Sequence, residues 1–291
     1  MTTRYYSVAG HGFCVTAEDE DFGLMTNYEP FSKGLLQCVF NLVVENGKAP
    51  AYAEEFRQEE EGQMIVCGKT SDGQPVFEFC WDGQTAGWLV CSADYYKARL
   101  IATGYARKMA IDNALMILYA LTTADKDTLL FHAAVVSHEG HAYMFLGKSG
   151  TGKSTHASLW LKHIEGTDLV NDDNPVVRIQ TLTSPHEGRG VTATVYGSPW
   201  SGKTPCYRNV SYPLGGIVLL SQAPYNQIER LKGIEAYMAI VASVSGMRWD
   251  ERIADGLHRT ENALAQTVAT WHLECLPDKD AALLCELRIR D

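Results

Sequence analysis

AYMFLGKSGTGKSTHASLW, residues 142–160, sets the fold of the second half of this chain. A short apolar run feeds a loop holding Gly147, Gly150 and Gly152, and a helix-like segment follows from Ser154 to about Ile164. The loop matches G-x-x-x-x-G-K-[ST] at Gly147, Gly152, Lys153 and Ser154. A chain of this length and average composition shows such a match by chance at about the 1% level, so the match carries information. Glycines let backbone N–H groups converge on phosphate oxygens, the helix start adds its positive dipole end, and the lysine reaches the β- and γ-phosphates. The loop therefore reads as a nucleotide cradle made of Gly147, Ser149, Gly150, Thr151, Gly152, Lys153, Ser154 and Thr155, with the Ser154 hydroxyl directed to Mg²⁺.

Eighteen residues beyond Ser154, LVNDDNPVV delivers Asp172 and Asp173 to the end of a predicted strand. If that strand lies beside the loop strand in a βαβ unit, both strand ends meet at one edge of the sheet. One carboxylate could then hold Mg²⁺, directly or through water, and the other could accept a proton from an attacking hydroxyl. An ordinary ATPase needs one acid here, so the doublet points to a transferase. Two ionised neighbours repel, which suits a base that takes a proton and later releases it.

Working outward, strand-like and helix-like runs alternate from about residue 130: AYMFLG, DLVND, PVVRI, VTATVYG, GGIVLLS and WHLECL against KGIEAYMAIVAS and RTENALAQTVA. Such alternation predicts α/β layers. ARKMAIDNALMILYAL, ending at Leu121, has apolar residues at three- and four-residue spacing and predicts a helix. Before it, short β-prone runs are divided by Asn-Gly at 46–47 and Asp-Gly at 72–73 and 82–83, the dipeptides of tight hairpins. The expected organisation is an antiparallel β-rich domain at 1–104, a connecting helix and linker at 105–129, and a catalytic domain at 130–291.

A net charge of −10 argues against broad nucleic-acid or anionic-membrane binding. No apolar stretch reaches the ~18 residues of a membrane span, and the cytoplasm is the expected location. Eight cysteines without CxxC pairs read as reduced, buried small hydrophobes. The acidic clusters Glu18–Asp21 and Glu59–Glu61 read as solvated loops.

FHAAVVSHEGHAYMFLGKSGTGKST, followed by DLVNDDNPVV, resembles the catalytic domain of HPr kinase/phosphorylase and its wider kinase-like group. The nucleotide-binding core of ATP-dependent phosphoenolpyruvate carboxykinase is similar. The specific match covers about residues 130–177, with looser agreement through YGSPWSGK and YPLGGIVLL. The resemblance implies an α/β P-loop core with an N-terminal β-rich domain, ATP and Mg²⁺ as cofactors, and transfer of the γ-phosphoryl to a hydroxyl of a protein, peptide or small molecule. It also implies roles: Lys153 on the phosphates, Ser154 and Asp173 at the metal, Asp172 as base toward the acceptor, and His132 near the reacting groups.

The chain departs from the bifunctional enzymes at Thr155, where they carry Glu, and it lacks their downstream Glu-x-Arg-Gly signature. Phosphorylase activity and HPr as acceptor are therefore not carried over. Two other readings stand beside the kinase: a nucleotide-binding regulatory module without acceptor chemistry, and carboxykinase-like transfer. The N-terminal domain could present a substrate or bury the interface of a homo-oligomer.

Secondary candidates are Trp200, Lys203 and Arg208 in a loop at the active-site edge, and Arg189 in a solvated loop. His138 and His141 flank the SHEGH hairpin turn and are expected to be exposed rather than joined with His132 in a zinc site. His156, on the first turn of the loop helix, is expected to be neutral because of the helix dipole.

Overall fold

The computed structural model describes residues 1–60, 62–184, 188–202 and 204–290; at 181–184 and 188–189 only the backbone is described. The protein is a mixed α/β chain with two large mixed sheets and few helices. It divides into two compact units, Met1–Thr123 and Ala124–Asp291. Among the described residues, no helix is long and apolar enough to cross a membrane.

The first unit holds β1 (Thr2–Val8), β2 (His11–Ala17), α1 (Asp19–Leu24), β3 (Ser32–Lys33), β4 (Cys38–Glu45), β5 (Ala53–Glu60), β6 (Gln63–Lys69), β7 (Pro75–Trp81), β8 (Gln84–Cys91), β9 (Lys97–Ala102) and α2 (Arg107–Thr123). Its sheet runs β3-β1-β2-β4-β9-β8-β7-β6-β5. From β5 to β9 each strand pairs antiparallel with the next, as a meander should. Asp82 and Gly83, at φ 46° and 76°, close the two-residue turn between β7 and β8.

The antiparallel expectation fails at β4, which pairs parallel with both β2 and β9. Asn46-Gly47 is therefore not a hairpin, and β5 lies at the far edge of the sheet. Burial of Phe40, Leu42 and Val44 in the sheet centre outweighs the local turn preference of the dipeptide. Helix α2, expected as a connector, packs on β4, β8 and β9 and lies within the first unit.

In the Glu18–Asp21 cluster, Glu18, Asp19 and Glu20 are exposed as expected, but the segment Asp19–Leu24 is helical rather than a loop and Asp21 is 2% exposed. Its carboxylate accepts from Nε and Nη2 of Arg107, the latter at 3.0 Å. Acids in the first turn also suit the helix dipole. Of the second cluster, Glu59 and Glu60 are exposed on β5, and Glu61 lies outside the described residues.

The second unit holds β10 (Thr128–Phe131), β11 (Ala134–His138), β12 (His141–Leu146), α3 (Lys153–His163), β13 (Asp168–Asn171), β14 (Val176–Ser184), β15 (Gly188–Tyr196), β16 (Ser211–Gln222), β17 (Gln227–Leu231), α4 (Ile234–Val241), β18 (Val244–Ser245), α5 (Glu251–Thr267), β19 (Thr270–Cys275) and α6 (Lys279–Ile289). It is richer in antiparallel pairing than simple alternation predicts, with β10, β14 and β15 joined antiparallel. β16 is the seam. Residues 211–213 pair antiparallel with β15, whereas its later residues pair parallel with β12 on one side and β19 on the other.

Helices α3 and α6 cover one face of this second group of strands. Phe145, Trp160, Val218, Leu220, Cys285 and Ile289 meet in the layer between them. Trp160 is fully buried, so the loop helix is anchored about two turns beyond the loop it follows.

The strand carrying the acids is not adjacent to the strand feeding the loop. β11 lies between them because the SHEGH hairpin folds β12 back along β11 and takes that slot. Both β12 and β13 pair antiparallel with β11 and so run in the same direction. Ala134 faces Phe145 on one side, and Val135 faces Asn171 on the other. The two strand ends therefore lie level at one edge of the sheet.

Candidate functional site

The glycine loop leaves β12 with Gly147 at φ 149°, Gly150 at 77° and Gly152 at 109°. These are conformations that L side chains rarely adopt, so the glycines set the path of the loop. Thr151 closes it, donating from its backbone N–H and its hydroxyl to the Lys148 carbonyl at 3.1 and 2.5 Å. Lys153 is buried, and its Nζ donates to the carbonyls of Gly147 at 3.0 Å and Lys148 at 3.4 Å. Gly152 precedes α3 and offers no capping side chain. The first N–H groups of α3 thus face out of the helix start, at its positive end. Ser154 is partly exposed there and Thr155 is exposed.

At the end of β13, Asp172 is 5% exposed, and its Oδ2 accepts the Thr204 N–H at 3.1 Å. Asp173 turns the other way. Its Oδ1 lies 2.9 Å from Nδ1 of His132, and its carbonyl accepts the Ala133 N–H at 2.8 Å. The other ring nitrogen of His132 is Nε2. That nitrogen is covered and has no hydrogen-bond partner among the described residues. The structure thus brings His132 and Asp173 into contact, with Asp172 next in the chain. The loop residues join them through the shared sheet edge.

The sequence reading missed Asn171, Ser198 and the backbone of Trp200. Asn171 is fully buried, and its Nδ2 donates to Ser198 Oγ and to the Trp200 carbonyl, both at 3.1 Å. Its Oδ1 accepts the Asp173 N–H at 2.9 Å, an Asx turn that the Asn-Asp-Asp-Asn string could have flagged. Ser198 Oγ donates to the Asn174 carbonyl at 2.6 Å. The loop after β15 is thereby clamped against the acid pair, and a Cβ on Gly202 would come within 3.1 Å of Asp173 Cβ.

Among the secondary candidates, Trp200 is 4% exposed and anchors that loop in the core. Arg208 binds the Leu169 carbonyl at 2.6 Å and Asp168 at 3.1 Å, at the opposite end of β13 from Asp172. Lys203 and the side chain of Arg189 lie outside the described residues. His141 is exposed as expected, but His138 is 7% exposed and meets the edge of Trp160. The hairpin is too tight, with Glu139 and Gly140 at φ 47° and 80°, to carry His138 clear of the α3 layer.

Among the described residues, no cluster of three or more His, Cys, Asp or Glu is arranged for a metal ion. All eight cysteines are free thiols, and burial pushes Cys67 up to about 11 and Cys14 up to about 12. His156 is held down at about 4, and the cause is burial. Its Nε2 accepts from Trp160 Nε1 at 3.1 Å, and Phe145 meets its ring edge-on.

Fold and site together define a mixed α/β protein with a glycine-rich strand–loop–helix and an acid pair at one sheet edge. The family model of SynChlorMet cassette protein ScmC matches residues 101–270, more than half of the chain, and spans the loop, the acid pair and the clamping loop. The chain belongs to the ScmC family. No curated protein matches it.

Proposed function

We propose that the chain is an ATP- and Mg²⁺-dependent phosphotransferase on a P-loop core like that of the HPr kinases, moving the γ-phosphoryl to a hydroxyl of a protein, peptide or small molecule. The observation that carries this reading is the convergence of Gly147–Thr155, Asp172 and the Asp173–His132 pair at one sheet edge. A phosphate cradle alone would serve nucleotide binding. A buried carboxylate beside it serves proton transfer as well.

Backbone N–H groups of the loop and the start of α3 would bind the phosphates, with Lys153 exchanging its carbonyl partners for phosphate oxygens. The oxygens present suit Mg²⁺: the Ser154 hydroxyl is accessible, and the Asp173 Oδ2 is not the oxygen that meets His132. A hard cation with an all-oxygen set and few protein ligands needs no His or Cys cluster. When bound, Mg²⁺ neutralises charge on the phosphates.

Asp172 takes the acceptor's proton as the acceptor oxygen bonds to the γ-phosphorus. The bond from that phosphorus to the bridging oxygen breaks, and ADP leaves. Asn171 and Ser198 hold the acid in place, and His132 orients Asp173. The free thiols suit a reducing compartment, which supports the cytoplasm as the site of action.

Incubation with γ-labelled ATP, Mg²⁺ and an extract of the protein's own cells tests the reading. A labelled acceptor whose appearance depends on Lys153 is expected. Hydrolysis to free phosphate with no labelled product would sink the transferase in favour of a nucleotide-responsive regulatory module.

A further inference from the structure

The edge that carries the loop and the acids continues beyond them. Across the sheet the order is β13, β11, β12, β16 and β19, and all but β11 end at this edge. Asp172 and Asp173 follow β13, His132 precedes β11, and the glycine loop follows β12. On the loop's other side, where β16 and β19 end, lies a cavity of about 570 Å³. That volume falls within the range of small-molecule sites, and the carboxyl ends of parallel strands are where such sites occur. Acids, loop and cavity stand in a row with the loop in the middle. A nucleoside triphosphate has the same linear order: γ-phosphate, inner phosphates, nucleoside.

The cavity walls are Leu159 of α3, Leu220 and Pro224 around the end of β16, and Cys275, Leu276 and Pro277 after β19. Gly150, Thr151 and Gly152 form its side toward the loop. Aliphatic and prolyl surfaces suit the flat faces of a heteroaromatic ring and leave its edge to polar groups.

Beside the threonines of the loop, Thr151 and Thr155, two further polar side chains stand in this lining. His156 is 3% exposed, and because its Nε2 accepts from Trp160, its proton sits on Nδ1. That Nδ1 has no partner among the described residues. A buried N–H without an acceptor is costly, and a ring nitrogen or carbonyl of a base is such an acceptor. Gln222 donates from Nε2 to the Gly150 carbonyl at 3.2 Å, tying this wall to the loop and presenting an amide oxygen.

Taking the loop as the phosphate cradle of the proposed phosphotransferase, we infer that this cavity is the nucleoside subsite, holding the base and ribose of the triphosphate. Nothing in the acid pair or the loop requires a nucleoside, since both act on phosphates alone. The cavity is what distinguishes ATP from inorganic polyphosphate.

Calorimetric titration of the full chain with ATP and with tripolyphosphate, each with Mg²⁺, tests the assignment. ATP is expected to bind at least about tenfold more tightly. Ala223→Trp, which fills the cavity from the end of β16, should weaken ATP by about tenfold and leave tripolyphosphate unchanged. Leu276→Trp, at the partly exposed rim, should act in the same direction should the first variant fold poorly. Lys153→Ala should weaken both ligands. Equal binding of ATP and tripolyphosphate by the unaltered chain, or equal losses for both in the Trp variants, would overturn the subsite and leave the cradle standing. Binding of neither ligand would overturn the phosphotransferase reading and the subsite with it.

Discussion

Each of the two units buries one aspartate almost completely, and the two are treated in opposite ways. Asp21 in the first unit is 2% exposed and takes two hydrogen bonds from the Arg107 guanidinium. Asp172 in the second unit is 5% exposed, and its hydrogen-bond partner among the described residues is a single backbone amide, that of Thr204. Burial of a carboxylate costs free energy, and a facing cation with two hydrogen bonds offsets much of it. Asp21 is therefore satisfied and holds α1 to α2. Asp172 sits beside the clamp made by Asn171 and Ser198, and its partner among the described residues is a backbone amide rather than a cation. Equal burial thus comes with different partners, and under the proposed chemistry the partners separate a structural acid from a base.

The largest expected effect comes from removing the proposed base. Asp172→Asn keeps the shape and an acceptor oxygen for Thr204 but removes the base. Phosphoryl transfer should fall by about 10²–10⁴-fold. ATP affinity by calorimetry and the thermal midpoint should change little. A variant that still transfers at the original rate would remove Asp172 from the proposed chemistry.

Breaking the structural member should do the reverse. Arg107→Ala leaves Asp21 buried without its cation and is expected to cost about 3 kcal/mol of stability in urea unfolding. Replacing both partners by apolar residues of similar size should recover much of the loss. ATP binding at temperatures where the variant is folded should be unaffected. A large loss of ATP affinity with an intact melt would make Arg107 more than a structural partner.

The two aspartates also differ in how readable they were. The glycine loop and the Asp-Asp pair could be placed because their signals are local: glycines and a lysine at fixed spacing, then apolar residues ending in Asp-Asp. The periodicity of α2 and the Asp82-Gly83 turn are local in the same way. What escaped reading depends on partners far along the chain. Asp21 looked solvated because Arg107 is 86 residues away. Asn46-Gly47 looked like a hairpin because the parallel slot filled by β4 is made by β2 and β9. The clamp on Asp172 joins Asn171 to residues 27 and 29 positions later. The insertion of β11 between β12 and β13 followed from the SHEGH turn, which was read, but its effect on strand order is a property of the whole sheet.

His156 extends the comparison to a buried base. Its pKa is depressed from 6.5 to about 4 by burial, so the unfolded chain takes up a proton at a higher pH than the folded one. The neutral ring's contribution is fully present above pH 6.5 and is lost as the pH falls toward 4. It amounts to roughly 3 kcal/mol across that window. His156→Gln, which does not titrate, should lose less stability than the parent between pH 6.5 and pH 4 in parallel urea titrations. Identical slopes for the two proteins would show that the ring is protonated while folded.

The smallest expected effects come from a methyl group added at Gly23 in α1 and at Gly202 beside the acid turn. Gly23 lies two residues after Asp21 in α1, and a Cβ there meets nothing within 4 Å. Gly23→Ala should stabilise the chain by roughly 0.5–1 kcal/mol through helix propensity and leave activity unchanged. At Gly202 the same methyl would lie 3.1 Å from Asp173 Cβ and 3.3 Å from the Asp172 carbonyl, so the acid turn must shift by a few tenths of an ångström. A pair of structural groups tolerates such a shift, whereas a base aligned on an acceptor does not. Gly202→Ala is therefore expected to lower phosphoryl transfer about three- to tenfold, with little change in the melt. If the two alanines proved equally harmless to transfer, a shift of the acid turn would have no bearing on the proposed chemistry, and the contrast between Asp172 and Asp21 would reduce to their charge partners alone.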